Sequence, residues 1–236
     1  MNKKIFSIVT SVVVLLAVLL SPMSATAKRP DMEDMIIKQG IKIEDKSLCY
    51  VGSKVGLGFG FLHSNKVSDI KVTSSNESVC KAELFQYPNG DHLIDVSYLR
   101  CGKATIYVSF KHKGKTYKSR ARIKVVNYTN PFKSFKIGKK EYRSIFDTNN
   151  VRVSGKYADG YAVEKGKQAV RFKLKKGYSF IQGNYQTKNM KTPKYSDKKF
   201  NLSKMDYLHL ICKDKQGYKT TIIWVNRKPV FNNHIK

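Results

Sequence analysis

Acid is scarce in this 236-residue chain: 17 Asp and Glu stand against 45 Lys and Arg, a formal net charge of +28. Such an imbalance points to anionic partners and makes non-specific adsorption to DNA in vitro unsurprising. Helical periodicity is almost absent after the first 27 residues, and no second apolar run reaches membrane-spanning length. A coiled coil and a polytopic membrane protein are thereby excluded. There is no G-x-S-x-G elbow, no H-E-x-x-H and no C-G-S-C, so no hydrolase signature stands in the chain. The five histidines (His63, His92, His112, His209, His234) are scattered, and the four cysteines form no C-x-x-C pair. Neither a zinc site nor a cofactor is expected. At 41% hydrophobic and 11% aromatic residues the chain is nevertheless too apolar for a disordered polycation. It reads as a folded basic protein, with no catalytic signature.

What is present begins with the N-terminus. Lys3 and Lys4 form a positive start, residues 5–20 an apolar stretch, and Ala25-Thr26-Ala27 a small-residue cleavage site. These are the three parts of a secretory signal peptide, with the mature chain expected to start near Lys28. No cysteine follows the apolar stretch and the C-terminus lacks an LPxTG-like signal. The expectation is therefore an exported protein, released or held non-covalently at the cell surface, with no transmembrane segment after cleavage. Export disfavours nucleic acid as a physiological partner. The first 27 residues hold two lysines and no acid, so 26 of the 28 net charges follow Ala27.

Beyond that point, short segments alternate with period two and are separated by Gly, Asn, Asp and Lys, the pattern of an all-β sandwich. In residues 54–62, Val55, Leu57, Phe59 and Phe61 share one face and Gly56, Gly58 and Gly60 the other. Residues 103–110 turn Ala104, Ile106, Val108 and Phe110 inward, and residues 117–125 do so with Tyr117, Ala121, Ile123 and Val125. His112-Lys113-Gly114-Lys115 joins these two runs as a tight hairpin turn. Asn89-Gly90, between residues 84–85 and 94–96, predicts another hairpin.

Residues 74–80 (SSNESVC) and 102–108 (GKATIYV), with Tyr50-Val51-Gly52 before the second strand, carry a family resemblance. Residues 38–127 resemble the bacterial immunoglobulin-like group 2 (BIG2-type) domains of exported surface proteins, in which "SSNPSVA" and "GTATITV" occupy these places. The resemblance implies an immunoglobulin-like sandwich in an exported protein and transfers no catalytic residue. The chain departs from the pattern at Cys80 and Cys101, where the family carries small residues. Residues 28–127 are thus expected to form the bacterial immunoglobulin-like domain, with Asn130-Pro131 marking a linker. Residues 128–236 form a second β-sandwich with net charge +18 against +8 for the first. Its predicted strands are 169–174, 178–182, 207–212 and 220–225, and residues 186–199 read as an exposed, mobile loop. Trp224 falls in a core or half-buried strand.

Within an immunoglobulin-like sandwich, Cys49, Cys80 and Cys101 fall at corners of one end. The midpoint of 80 and 101 lies near the Asn89-Gly90 turn, which brings Cys80 and Cys101 together as a disulfide candidate in an oxidising compartment. Its closure would contribute about 3 kcal/mol in the chain-entropy treatment. The alternatives are four buried thiols, or Cys49 competing for Cys101; Cys212, on the Leu208/Leu210 face, reads as a packed thiol.

Two surfaces are candidates for binding. If Tyr117, Ala121, Ile123 and Val125 face inward, then Lys118, Arg120, Arg122 and Lys124 all face outward. The adjacent strand adds Tyr107 and Lys111, with Lys71 extending the same face. Two of the chain's eight arginines stand in this stripe, and the planar guanidinium suits sulfate or phosphate better than an ammonium does. The second candidate is Tyr178, Tyr185 and Tyr195 interleaved with Lys176, Lys188, Lys191 and Lys194, an arrangement for a glycan or polyanion. The leading expectation is an exported, non-catalytic surface binding or adhesion module. Its partner would be an anionic cell-wall or host polymer, or another surface protein. The alternatives are a structural spacer of the envelope, or a secreted enzyme or inhibitor with its site in the second domain.

Overall fold

The computed structural model describes residues 46–63, 67–88 and 90–228, with the backbone alone at 55–63 and 91. The signal peptide, the cleavage site before Lys28, the inward side chains expected at 55–61 and Asn89 lie outside the described residues. The fold is all-β: among the described residues, helix is limited to two short 3-10 turns, Arg143–Phe146 and Leu202–Lys204. No helix there is long and apolar enough to cross a membrane.

Seven strands build the first sandwich: β1 (Lys46–Tyr50), β2 (Lys54–His63), β3 (Ser68–Ser74), β4 (Cys80–Gln86), β5 (Asp91–Tyr98), β6 (Gly102–His112) and β7 (Lys115–Val126). One sheet runs β2-β5-β4 and the other β3-β6-β7-β1. All pairs are antiparallel except β1, which lies parallel to β7. This order, with the first strand crossing to pair with the last, is that of an immunoglobulin-like sandwich. The β6–β7 hairpin closes at His112↔Lys115. Lys113 and Gly114 both take positive φ, 49° and 74°, the signature of a type I′ turn whose twist matches the flanking strands. Alternation then buries Ala104, Ile106, Val108, Phe110, Ala121, Ile123 and Val125 in one core with Ile94 and Val96 of the opposite sheet.

Nine strands follow: β8 (Phe132–Ile137), β9 (Lys140–Glu141), β10 (Arg152–Ser154), β11 (Tyr157–Tyr161), β12 (Lys167–Leu174), β13 (Tyr178–Thr187), β14 (Lys199–Asn201), β15 (Met205–Asp214) and β16 (Lys219–Val225). The sheet β14-β12-β8-β9 packs on the sheet β13-β15-β16-β11-β10. Between them lies a second core of Phe132, Phe135, Ile137, Val170, Tyr185, Leu208, Leu210, Cys212, Ile222 and Trp224. The second sandwich is thus immunoglobulin-like in construction, and Trp224 is a core residue.

The two sandwiches share a sheet. β1 pairs with β7 over five residues and with β16 at Ser47↔Lys219, parallel on both sides. The Tyr50 hydroxyl lies 2.7 Å from Thr220 Oγ1, its N–H donates to Gly155 O at 3.3 Å, and its ring packs edge-on against Tyr128. β1, which leads into the Tyr50-Val51-Gly52 corner, therefore acts as the seam between the two cores.

The cysteine register differs from expectation. Cys80 stands opposite Tyr98, not Cys101, because β5 ends at Tyr98 and the hairpin midpoint shifts accordingly. Cys80 is buried, Cys101 is exposed, and no disulfide joins any of the four cysteines. Burial pushes the Cys80 and Cys212 thiols up to about 12, which suppresses the reactive thiolate. In the reduced native protein, a maleimide should modify Cys101 within minutes and Cys49, Cys80 and Cys212 only after unfolding. Peptide mapping checks this; modification of Cys80 at a rate like that of Cys101 contradicts the register.

Candidate polyanion-binding surface

β7 presents its cations as alternation requires, but not all are open. Lys118 and Arg120 are exposed, whereas Arg122 and Lys124 are half-buried. The cause is β1, which lies alongside with Lys46↔Arg122 and Leu48↔Lys124. Lys124 Nζ is 2.7 Å from Asp214 Oδ2, and its side chain is 27% exposed. The same ammonium lies 5.8 Å from the Tyr218 ring centre. Asp214 Oδ1 accepts from the N–H groups of Gln216 at 2.8 Å and Tyr218 at 2.9 Å. Burial pushes the Asp214 carboxyl up. The hydrogen bonds from Lys124 and the two N–H groups outweigh that and hold it below its ordinary value. Lys124 thus ties the sandwiches together. On β6, Lys111 is ion-paired with Asp69 at 2.8 Å. The predicted six-residue stripe is therefore corrected to a shorter open patch of Tyr107, Lys118 and Arg120. Lys71 is joined to it through Lys71↔Ser109, Ser109↔Lys118 and Tyr107↔Arg120. Tyr107 is 48% exposed.

The second predicted surface is also revised. Residues 188–198 form an exposed loop, as expected, but one tied down because the chain folds back onto β13. Tyr185 N–H donates to Pro193 O, Tyr195 N–H to Gly183 O, and Asn184 bridges Lys194. Tyr185 is buried and stacks on Phe200 with ring centres 4.2 Å apart. Tyr195 is half-buried and donates its hydroxyl to Val170 O at 2.9 Å. Isolated backbone bonds, rather than a regular ladder, hold this segment, so period alone did not reveal it.

A site that the sequence reading missed lies on the outer face of β8 and β12. A groove of about 840 Å³ is lined by the cations Lys133, Lys136, Lys139, Arg171 and Lys173, the rings Phe172 and Tyr195, and the acids Glu141 and Asp197. Strand alternation builds it. Ile137, Phe135 and Val170 turn toward the core and Phe172 packs half-buried against its edge, so Lys136, Arg171 and Lys173 turn out. Lys136 and Arg171 stand directly opposite each other in the ladder, a like-charge pair that costs roughly 0.2–1 kcal/mol. Glu141, opposite Lys136 on the other side of β8, offsets this in part: burial pushes its carboxyl up, but hydrogen bonds and the Lys136 charge hold it below its ordinary value. Its Oε1 accepts from Phe135 N–H at 2.8 Å and Arg143 N–H at 3.0 Å, and its Oε2 from the Ser134 hydroxyl at 3.0 Å. Among the described residues none of the five groove cations is ion-paired. The available signal was the K-x-x-K of Lys133 and Lys136 and the R-x-K of Arg171 and Lys173, meaningful only once β8 and β12 are known to pair. Among the described residues no group of three or more His, Cys, Asp or Glu is placed to hold a metal ion.

No protein-family model matches the chain, and no curated protein matches its sequence. Solved structures similar to it include the fibronectin(III)-like modules of Clostridium thermocellum CbhA. These are 8% identical, covering 80% of this chain and 95% of that one, with a TM-score of 0.29. Domains 4–9 of the surface layer protein SbsC are 13% identical over 76% of this chain and 30% of that one, with a TM-score of 0.26. Titin A168–A169 is 9% identical over 76% and 93%, with a TM-score of 0.25. At these scores the immunoglobulin-like architecture rests on the strand order and registers above.

Proposed function

We propose that this protein is an exported, non-catalytic binding module of the cell surface that holds an anionic polymer of the cell wall or of a host. The observation that carries this reading is the β8–β12 groove, where five cations stand with only two acids, Glu141 and Asp197, and among the described residues none of the five is ion-paired. Folded proteins of ordinary function place such charges apart or pair them, because opposed like charges weaken the ladder. A polyanion relieves the repulsion on binding and releases its counterions, so affinity should fall steeply with salt. The Lys71–Lys118–Arg120 patch with Tyr107 is a second, shallower contact of the same sign.

The test replaces Lys136, Arg171 and Lys173 together by Ala, and separately Lys71, Lys118 and Arg120. Both variants lose three charges. Binding to immobilised heparin or to a teichoic acid at moderate salt should weaken by about tenfold more in the groove variant, about 1.4 kcal/mol. Equal losses would mean that net charge alone explains the binding, and the groove would be abandoned. The seam at β1 favours a second reading, a stiff spacer in the envelope. That reading predicts no measurable polymer binding by the native protein.

A further inference from the structure

Resting on the reading of the groove as a polyanion site, we infer that its ligand is a saccharide chain carrying sulfate or phosphate esters, rather than a ringless polyanion. The groove has two unlike walls. One is cationic, with Lys133, Lys136, Arg171 and Lys173 on β8 and β12. The other is aromatic. Tyr195 and Phe172 line it, their ring centres 5.5 Å apart, and Phe180 stands 5.3 Å from Phe172 and 5.8 Å from Tyr195.

Phe180 is 40% exposed, and Ile181 beside it is 39% exposed. The pairing of β13 with β15 slips between Phe180 and Gln182, so this pair sits at a bulge. A bulge re-aims side chains that regular alternation would send elsewhere. Here it leaves Phe180 and Ile181 as an exposed apolar ledge, with Phe180 against the Phe172 and Tyr195 rings of the groove. A charged site alone has no use for such a ledge, since water solvates a polyphosphate chain on every side. A pyranose ring carries an apolar face of C–H groups and a rim of hydroxyls, and an aromatic wall receives that face while ammonium and guanidinium groups take the esters.

Tyr195 is held for this role. Its hydroxyl is committed to Val170 O at 2.9 Å, so the ring cannot swing into the groove or away from it. Arg171 follows Val170 on β12 and turns to the outer face that lines the groove. Its fork presents paired donors suited to a tetrahedral oxyanion, sulfate or phosphate alike.

The experiment measures affinity of the full mature chain for four probes of similar length and charge at one salt concentration: dextran sulfate, dextran phosphate, linear polyphosphate and a thymidine oligonucleotide. Phe180→Ala and Arg171→Ala are compared with the unaltered chain. One or both dextran esters should bind at least tenfold tighter than polyphosphate, and their difference tells sulfate from phosphate. Phe180→Ala should weaken dextran-ester binding about fivefold and leave polyphosphate unchanged, while Arg171→Ala weakens both. Because Phe180 is partly exposed, its truncation leaves the core intact; a circular dichroism melt within a few degrees of the parent verifies this. Equal affinity for polyphosphate and the dextran esters, with Arg171 dependence retained, overturns the saccharide inference and leaves the polyanion reading standing. Tightest binding to the oligonucleotide also overturns it, assigning the ledge to base stacking. Binding to none of the four overturns both.

Discussion

Trp224→Ala should destabilise the second sandwich by about 3–5 kcal/mol, the range for emptying a large buried aromatic site. Trp224 is 1% exposed, its ring is 6.0 Å from that of Phe135, and its Nε1–H donates to Ala162 O at 3.1 Å. Phe135 in turn packs on Phe132 and Phe146 at 5.1 and 4.9 Å. The indole is therefore the contact between the β16 sheet and the aromatic cluster of the other sheet. For a chain of this size the loss lowers the melting temperature by roughly 10 °C. Trp224→Phe keeps most of the packing but leaves Ala162 O without its donor, and should cost about 1–2 kcal/mol. Chemical denaturation followed by circular dichroism measures both, since the mutation removes the chain's single tryptophan. A cost below about 1 kcal/mol for Trp224→Ala would mean that the site collapses freely and that the second core is not organised around it. Because β16 also pairs with β1 and β11, the loss should loosen the seam and the first sandwich's β1–β7 pairing together.

Asp159→Asn should have the opposite sign and stabilise the protein at neutral pH. Asp159 lies on β11, opposite Arg152 on β10 and Ile223 on β16. Its Oδ1 is shielded from solvent and has no hydrogen-bond partner. Burial pushes its carboxyl up to about 6, and Arg152 recovers only part of that. Since the folded value exceeds the unfolded one, the native state binds more protons between about pH 4 and 6. Stability therefore falls as pH rises through that window, and the full cost is present above it. Replacing the carboxylate with a neutral amide should contribute about 1–2 kcal/mol at pH 7.5, a figure discounted for the partial solvation of the site. The gain should shrink toward zero near pH 4, where the native acid is already neutral. Denaturation midpoints of both proteins from pH 4 to 8 test this. A destabilised Asn variant at pH 7.5 would show that the Arg152–Asp159 attraction outweighs burial. Asp214 responds with the opposite dependence. Its lowered carboxyl contributes stability that is present above about pH 4 and lost as pH falls through the folded value.

Much of the strand architecture was legible because its causes are local. Period-two alternation and a Lys113-Gly114 turn with both residues at positive φ define the β6–β7 hairpin without reference to anything distant. The same holds for β12, β15 and β16 as strands, with β15's Leu208/Leu210/Cys212 face and Trp224 in the core as read. Where a segment is held by single hydrogen bonds, as residues 186–199 are, the exposed loop was legible but its anchoring to β13 was not. The Cys80–Cys101 register failed for a related reason. The turn signal at Asn89-Gly90 was right, since Cys80↔Tyr98 centres on residue 89, but β5 stops at Tyr98 and the exposed Cys101 falls beyond Cys80's partner.

Sequence alone determined that the chain is basic, all-β and built in two immunoglobulin-like parts, and that Lys118, Arg120, Arg122 and Lys124 share one side of a strand. Which of those cations remain open was decided only by the tertiary structure. With 17 acids against 45 bases, the position of each carboxylate determines which cation is neutralised. Those pairings cross long stretches of chain: Lys124 meets Asp214, and Lys111 meets Asp69. The groove arises the same way. Lys136 and Arg171 become opposed neighbours only through the β8–β12 ladder, and Tyr195 joins them in the groove only because the chain after β13 folds back and its hydroxyl bonds Val170 O. Alternation dictates inside and outside for each strand, whereas register between distant strands, set by how the two cores pack, dictates which outward charges stand together unpaired.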